Sequence, residues 1–410
     1  MVFAVAALGP QDLVTNAAAG ASYGYGLLWT VALVVAARYV MLEATARYVV
    51  VTGESLMTGY ARAGRWAPWL ILVSIGLKRH LLGLSHLLLL GSSLELLLGA
   101  RSGWVRTAGA LACWAAGFAL MYWGRYPVVE KASRPLMAVL GGALALAALL
   151  SRPDPAAVVR GVILPMAPAG QGAYGTAFLL LALLGSGAGA LSNLKYAAFV
   201  HEKGWRGVSD LRLQRTDLLL SGIGFYLMLL SVQVAAAAAL YPSAAPLREV
   251  ADLLPIFSTT LGDAGRILLG VGLWAAVFTT YTGATTGYSL LVADIWHNVL
   301  RPASAYRKEA LGNSPAYRVA LVIFSTSPLY ALLTDWEPLW LVLTQSAVLA
   351  ALVPVLGVIL IWLTNDRRRM GPHANGWIAN FAMGLVLLAI AGLSVYNLRV
   401  WFGARAFSGS

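Results

Sequence analysis

The stretch "LGPQDLVTNAAAGASYGYGLLW", residues 8–29, decides how the chain is read. Its background is that of a membrane helix, yet it carries Pro10, Gln11, Asp12 and Asn16. Broken helix is tolerated at membrane depth only where it is buried in protein or lines a cavity. The stretch therefore predicts a helix interrupted to line a solute site. Val2 to Leu8 supplies seven residues, about 10 Å of helix, roughly a third of the hydrocarbon core. Proline lacks an N–H and clashes with the preceding turn, so the break is expected at Gly9–Pro10. A second half-helix is expected from near Leu13, with Asp12 as its N-cap. The chain starts inside this apolar run. The expectation is either a very short first half-helix or a start upstream, and nothing resembles a cleaved signal peptide.

The rest of the chain agrees with a membrane reading. Hydrophobic residues make up 59% of 410 and charged residues 11%, against about 25% charged in soluble domains. Mean hydropathy is +0.74. Continuous apolar runs rather than alternating segments favour helices over a barrel. Eleven spans are expected, near residues 2–20, 25–51, 66–99, 104–123, 127–150, 175–201, 217–240, 266–296, 316–334, 338–363 and 376–398. The single cysteine, Cys113, excludes an internal disulfide or a cysteine metal cluster.

The net charge of +12 is mostly topology. With a cytoplasmic N-terminus, 17 Lys and Arg fall on the inner side and eight on the outer, and Arg38, Lys78, Arg79 and Lys195 lie within spans. That asymmetry is the positive-inside pattern. It predicts an inner-membrane, multi-pass protein with a cytoplasmic N-terminus and an outer C-terminus. No soluble domain or basic tail exists to bind nucleic acid. The expected partners are the lipid bilayer and a small-molecule or ion substrate, with no obligate protein partner evident and no cofactor.

Span six holds a second interruption, "LLGSGAGALSNLKYAAFVHEKGW", residues 183–205. Gly185, Gly187 and Gly189 alternate with small residues, and Ser192, Asn193 and Lys195 follow. Glycines alone are explained by close helix packing. Polar residues at both breaks, five spans apart, point instead to a transporter with two repeats and a midplane site. The expected organisation is one transmembrane domain, with repeat one at about 1–150, repeat two at about 175–363 and an extra helix at about 376–398.

These motifs carry a family resemblance. "GPQDLVTNAAAGASYGYGLLW" (9–29) resembles the first helix of the natural resistance-associated macrophage protein (NRAMP) family of metal-ion transporters, where the pattern opens with DPGN. "ARYVVVTGESL" (46–56), "YPVVEKASRPLMAVLGG" (126–142), "TTYTGATTGYSLLVADIW" (279–296) and "LIWLTNDRRRMG" (360–371) are similar to its second, fifth, eighth and tenth-helix signatures. The resemblance covers nearly the whole chain. It implies an all-α, LeuT-type fold with helices 1 and 6 unwound at the substrate, and proton-coupled import of a divalent metal.

The departures fall on the site the resemblance implies. The family's metal-binding aspartate and asparagine align with Gly9 and Asp12, its helix-six methionine with Ala190 and the neighbouring histidine with Ser192. The glutamine two residues before the helix-ten proline aligns with Leu352, ahead of Pro354. A soft thioether favours Mn or Fe over hard Mg or Ca, so its loss argues against the usual specificity. Where the family has acidic residues in helix three, this chain reads "VSIGLKRHLLGLSHLLLL" (73–90). Lys78 lies about 18 Å into that span, and Arg79, Gly83 and His86 share a face. The deep acids are Asp12 and Glu43.

A charge at the bilayer centre costs roughly 3 kcal/mol even on a lenient scale and marks function by default. Internal pairing is the plain alternative: Lys195 with Asp12, Arg38 or Arg79 with Glu43 or Glu95. His80 and His86 read either as proton carriers or as packed histidines. The hydroxyls Thr279, Thr280, Thr282, Thr285 and Thr286 read as cation oxygens or as interhelical hydrogen bonds. No HExxH, P-loop or Ser/His/Asp arrangement suggests an enzyme.

The sequence is therefore read as an alternating-access secondary transporter. Its site comprises Gly9, Gln11, Asp12, Asn16, Gly189, Ala190, Ser192, Asn193 and Lys195. Its cavity charge or coupling groups are Arg38, Glu43, Lys78, Arg79, His80 and His86. The cations favour an anionic or zwitterionic solute. The alternative is a divalent cation held by Asp12, Gln11, Asn16, Asn193 and backbone carbonyls, and a second alternative is a non-transporting sensor or scaffold.

Overall fold

The computed structural model describes residues 9–100, 102–123, 126–166, 174–202, 205, 207–241, 246–301 and 308–407. Among them the secondary structure is helical. The principal helices are α1 (Pro10–Tyr23), α2 (Trp29–Thr52), α3 (Trp66–Leu98), α4 (Gly103–Tyr122), α5 (Tyr126–Leu150), α6 (Thr176–Gly187), α7 (Ala190–Glu202), α8 (Leu211–Leu240), α9 (Asp263–Asp294), α10 (Pro315–Thr326), α11 (Pro338–Ala350), α12 (Leu352–Asn365) and α13 (Trp377–Phe407).

Among the described residues nine helical stretches are long and apolar enough to cross a membrane, or ten if a bent pair is one span. Eleven were expected. The shortfall is local. α1 has fourteen residues from Pro10, and the run before it lies outside the described residues. The segment Ala138–Leu150 turns by 119° into a further helix, Pro155–Ile163, which the sequence reading did not anticipate. α2 and α3 end at Gly53 (φ 65°) and Gly99 (φ 66°), left-handed caps that suit glycine.

The bundle has an apolar core and, unlike a soluble protein, an apolar outer surface as well. Phe381, Leu385 and Leu388 on α13 are exposed, because lipid rather than water is their solvent. α1 sits at the centre, with every residue but Gln11 buried. It approaches α8 so closely that a Cβ at Gly20 would lie 2.5 Å from the Gln233 carbonyl oxygen. α6 packs as tightly on α11, and α3 lies along α9.

Charged residues gather at the two ends. At one, Glu43 accepts from Arg47 (3.1 Å) and Arg215 (2.9 Å), and Arg369 bonds Glu54 (3.0 Å), which Arg62 also reaches. Arg47 ties this end to the His373 carbonyl and Asn375. At Glu54 burial raises the carboxyl pKa, but Arg62 and then Arg369 outweigh it and hold the group below its ordinary value. Elsewhere, Arg248 pairs with Glu337 (2.9 Å) and Arg266 caps the α3 carbonyls of Leu96 and Leu97. Residues expected on the inner side thus cluster together. Glu43 belongs to that cluster, one turn from Arg47. Its place in that cluster differs from the deep, isolated position the sequence suggested.

Candidate functional site

The first break lies where proline dictates. Gly9 is extended (φ −82°, ψ 159°) and α1 starts at Pro10, because the first helical position needs no N–H and suits the fixed φ of proline. Asp12 is therefore the third helical residue and not the N-cap. Its Oδ2 accepts the Gly9 N–H at 3.1 Å, half of a reciprocal cap. Gln11 folds back over Gly9. A Cβ built there would fall 2.6 Å from the Gln11 carboxamide carbon and 2.7 Å from its Oε1. The Gln11 amide thus occupies the space into which a side chain at position 9 would project. Asn16, one turn on, donates to the Asp12 carbonyl at 2.8 Å. Among the described residues three side-chain oxygens, Gln11 Oε1, Asp12 Oδ1 and Asn16 Oδ1, are buried with no hydrogen-bond partner.

The second break separates α6 from α7 at Ala188–Gly189. Gly189 starts α7, its carbonyl accepting the Ser192 N–H at 3.0 Å. The other two glycines have the plainer role. A Cβ at Gly185 would lie 2.0 Å from the Ser346 carbonyl oxygen on α11, and one at Gly187 2.0 Å from Val34 Cγ1 on α2. The two breaks meet through Thr15 Oγ1 and Ser186 Oγ, 3.2 Å apart. The C-terminal carbonyls of α6 and the N-terminal amides of α1 and α7 consequently face one region, with opposite helix-end polarities.

Lys78 enters this region from α3. It is 6% exposed, its Nζ donates to Ser192 Oγ at 3.1 Å, and a Cβ at Gly189 would lie 3.5 Å from it. Arg38 and Lys78 both stand within Coulombic reach of the Asp12 carboxylate. The Arg38 guanidinium lies 4.3 Å over the Phe225 ring. Lys195 does not pair with Asp12. Its ammonium lies 4.8 Å over the Tyr288 ring, within reach of the charges of Lys78, Arg38 and Arg79. Asn193 is buried and its Nδ2 lacks a hydrogen-bond partner among the described residues. The side chain of Ala190 lies outside the described residues.

Behind this layer is a second polar cluster. Arg79 is fully buried, donates from Nε to Thr285 Oγ1 at 2.9 Å and lies over the Tyr281 ring at 5.3 Å. It pairs with neither Glu43 nor Glu95. Among the described residues both of its terminal nitrogens, and both ring nitrogens of the fully buried His86, lack hydrogen-bond partners. His80 points away from the breaks, bonding Ser327 (3.2 Å) and Tyr330 (3.0 Å) and stacking on the latter. The hydroxyls of Thr279, Thr282 and Thr285 donate to carbonyls four residues earlier in α9. They satisfy their own helix, and among them Thr285 also receives Arg79.

The structure thus brings together Gly9, Gln11, Asp12 and Asn16 with Ser186, Gly189, Ser192 and Lys78. It sets Glu43 and His80 apart. Thr15 and Gln345 escaped the sequence reading. Gln345 is buried on α11 and donates to Ser85 at 2.9 Å, joining α11 to α3. It stands outside the aligned motif, and only the burial of an amide within an apolar helix marks it.

Comparison with known proteins places this architecture. The family model described as "Natural resistance-associated macrophage protein-like" matches residues 1–399. A protein named divalent metal cation transporter MntH, from Aeromonas hydrophila subsp. hydrophila, is 24% identical over 97% of this chain and 93% of its own length. Among solved structures, a mutant of the manganese transporter of Eremococcus coleocola superposes with a TM-score of 0.75 at 14% identity, covering 98% of this chain and 86% of that one. MhsT in complex with L-phenylalanine gives 0.53 at 12% identity, covering 94% and 97%. These likenesses fit the LeuT-type arrangement expected from the broken helices.

Proposed function

Because the chain belongs to the natural resistance-associated macrophage protein-like family, we propose that it is a secondary transporter whose substrate is a divalent cation, taken between the start of α1 and the α6–α7 break. One observation carries the reading. Among the described residues Gln11 Oε1, Asp12 Oδ1 and Asn16 Oδ1 are buried acceptors with no donor in hydrogen-bond geometry, the Ser186 hydroxyl standing near the Asp12 carboxylate, and orphaned buried acceptors are costly unless a partner arrives. The names of the relatives, divalent metal cation transporters, support the same class. Three side-chain oxygens, with water retained by the ion, would make an oxygen site for a hard cation. Among the described residues no cluster of His, Cys, Asp and Glu forms a softer one.

In this reading Gln11 supplies a neutral oxygen where relatives hold the aspartate aligned with Gly9, and Asp12 supplies the one carboxylate. The breaks at Gly9 and Ala188–Gly189 are the hinges about which alternate faces open. The basic end around Arg47, Arg62, Arg215 and Arg369 faces the cytoplasm, as the positive-inside rule requires, in a cell membrane.

A second reading is favoured by a different observation. Lys78, Arg38 and Lys195 stand within Coulombic reach of the Asp12 carboxylate, with Arg79 behind them, an excess of cations that suits an anionic or zwitterionic solute. Uptake into proteoliposomes tests both. Replacing Asp12 by Ala should abolish Mn²⁺ or Mg²⁺ uptake, whereas Lys195→Ala should leave it. Uptake of organic anions without metal supports the second reading, and no flux of any solute makes the protein a sensor or scaffold.

A further inference from the structure

Away from the breaks, a cavity of about 520 Å³ opens where α3 begins and α9 ends. Its lining includes Arg65, Pro68, Trp69, Trp296, Leu300 and Arg301. Two features set it apart from an ordinary interfacial belt of arginine and tryptophan. The first is convergence. Arg65 and Arg301 come from segments more than 200 residues apart in sequence yet line one cavity, and no carboxylate of the described residues is paired with either. The Arg301 guanidinium lies 4.8 Å over the Trp296 ring, an orientation that presents a cation while its aromatic partner forms a wall.

The second is backbone. α9 does not end in an α-turn but continues as a π-helix, Ile295–Leu300, closed by the Arg301 N–H on the Trp296 carbonyl at 2.9 Å. π-Segments recur at functional sites. This one is anchored, since Asp294 accepts from both Ser55 and Asn298. The wider turn leaves Trp296 exposed while the neighbouring Ile295 and His297 are buried.

We propose that this cavity binds the headgroup of an anionic phospholipid, its phosphodiester between Arg65 and Arg301 and its acyl chains along Pro68, Trp69 and Leu300. The location fits. Trp66 and Trp69 are exposed at the start of α3, as expected at the membrane–water boundary, and basic pockets between helices on the cytoplasmic side recognise such headgroups. The volume falls within the usual range of small-ligand sites, about 300–1,000 Å³. A free phosphate offers the same anionic oxygens, but it would leave the apolar walls uncovered.

The test uses the full chain in detergent. It is titrated with phosphatidylglycerol, phosphatidylcholine or sodium phosphate, and read by native mass spectrometry for bound lipid and by melting temperature. Phosphatidylglycerol should bind in preference to phosphatidylcholine and raise the melting temperature, which phosphate should leave unchanged. Arg65→Gln and Arg301→Gln should each weaken binding about fivefold, and the pair about 25-fold. Should the double variant not fold, either single variant decides. Equal binding of both lipids, undiminished binding by the variants, or stabilisation by phosphate as large as that by the lipid would overturn the proposal. The site is independent of the transported solute.

Discussion

Replacing Lys78 by Met reports on the charge of the site. The ammonium donates to Ser192 at 3.1 Å and abuts Gly189, on the α7 side of the break that meets Asp12. A divalent ion held on Asp12 at roughly 6–8 Å from Nζ would be repelled by about 4–6 kcal/mol at an effective dielectric of ~20. Lysine can swing on its flexible stem or release its proton when buried, which returns part of that. The net gain on removing the charge is then about 1.4–2.8 kcal/mol, a 10- to 100-fold lower Kd for Mn²⁺ or Mg²⁺. The fold should not suffer, since apolar replacement of a buried charge is often neutral or stabilising. Calorimetric titration of the purified variant measures the affinity, and a melting curve checks the fold. An unchanged metal Kd with an intact fold would refute the argument that Lys78 acts electrostatically on the substrate. Loss of organic-anion uptake with no gain in metal binding would transfer support to the second reading.

Three further outcomes follow from other parts of the molecule. Gly185→Ala forces a methyl to 2.0 Å from a backbone oxygen on α11, so it should destabilise by about 1–3 kcal/mol, seen as a lower melting temperature, with transport reduced as Ser186 shifts. The double change Gly9→Asp with Gln11→Gly exchanges the folded-back amide for a carboxylate in the same space and should tighten Mn²⁺ binding at least tenfold in a competition assay. At the basic end, the depressed pKa of Glu54 means that its ion pairs stabilise above the ordinary value of 4.5. That contribution is lost as pH falls through the depressed folded value, so wild type and Glu54→Gln should differ in melting temperature at pH 7 and converge under strong acid.

The fold was legible because lipid enforces it. Apolar runs had to be helices, and Pro10 and the glycines around 185–189 had to mark interruptions. What one-dimensional reading missed was direction and partner choice. The start of α1 was expected near Leu13 with Asp12 as its cap, but it falls three residues earlier, at Pro10, because proline suits the first helical position. Glu43 looked deep by its place in α2, but Arg215, from α8, joins Arg47 in drawing it into the end cluster. Close packing was one reading of Gly185 and Gly187 in sequence, and the 2.0 Å approaches of α11 and α2 identify which helices they admit. Lys78 reaches Ser192 across the break, a partner on another helix that no spacing along α3 reveals. Gln11 is the opposite case. Its position two residues after Gly9 was visible, but its backward fold was not.

The central claim is that the buried oxygens of Gln11, Asp12 and Asn16 receive a divalent cation. The most direct measurement is a structure determined with Mn²⁺ using anomalous scattering at the manganese edge. An anomalous peak between α1 and the α6–α7 break, about 2.1–2.4 Å from an Asp12 oxygen, is predicted. Density for a non-scattering solute lying on Lys78 and Lys195 at saturating Mn²⁺, with no anomalous peak against Asp12, would contradict it.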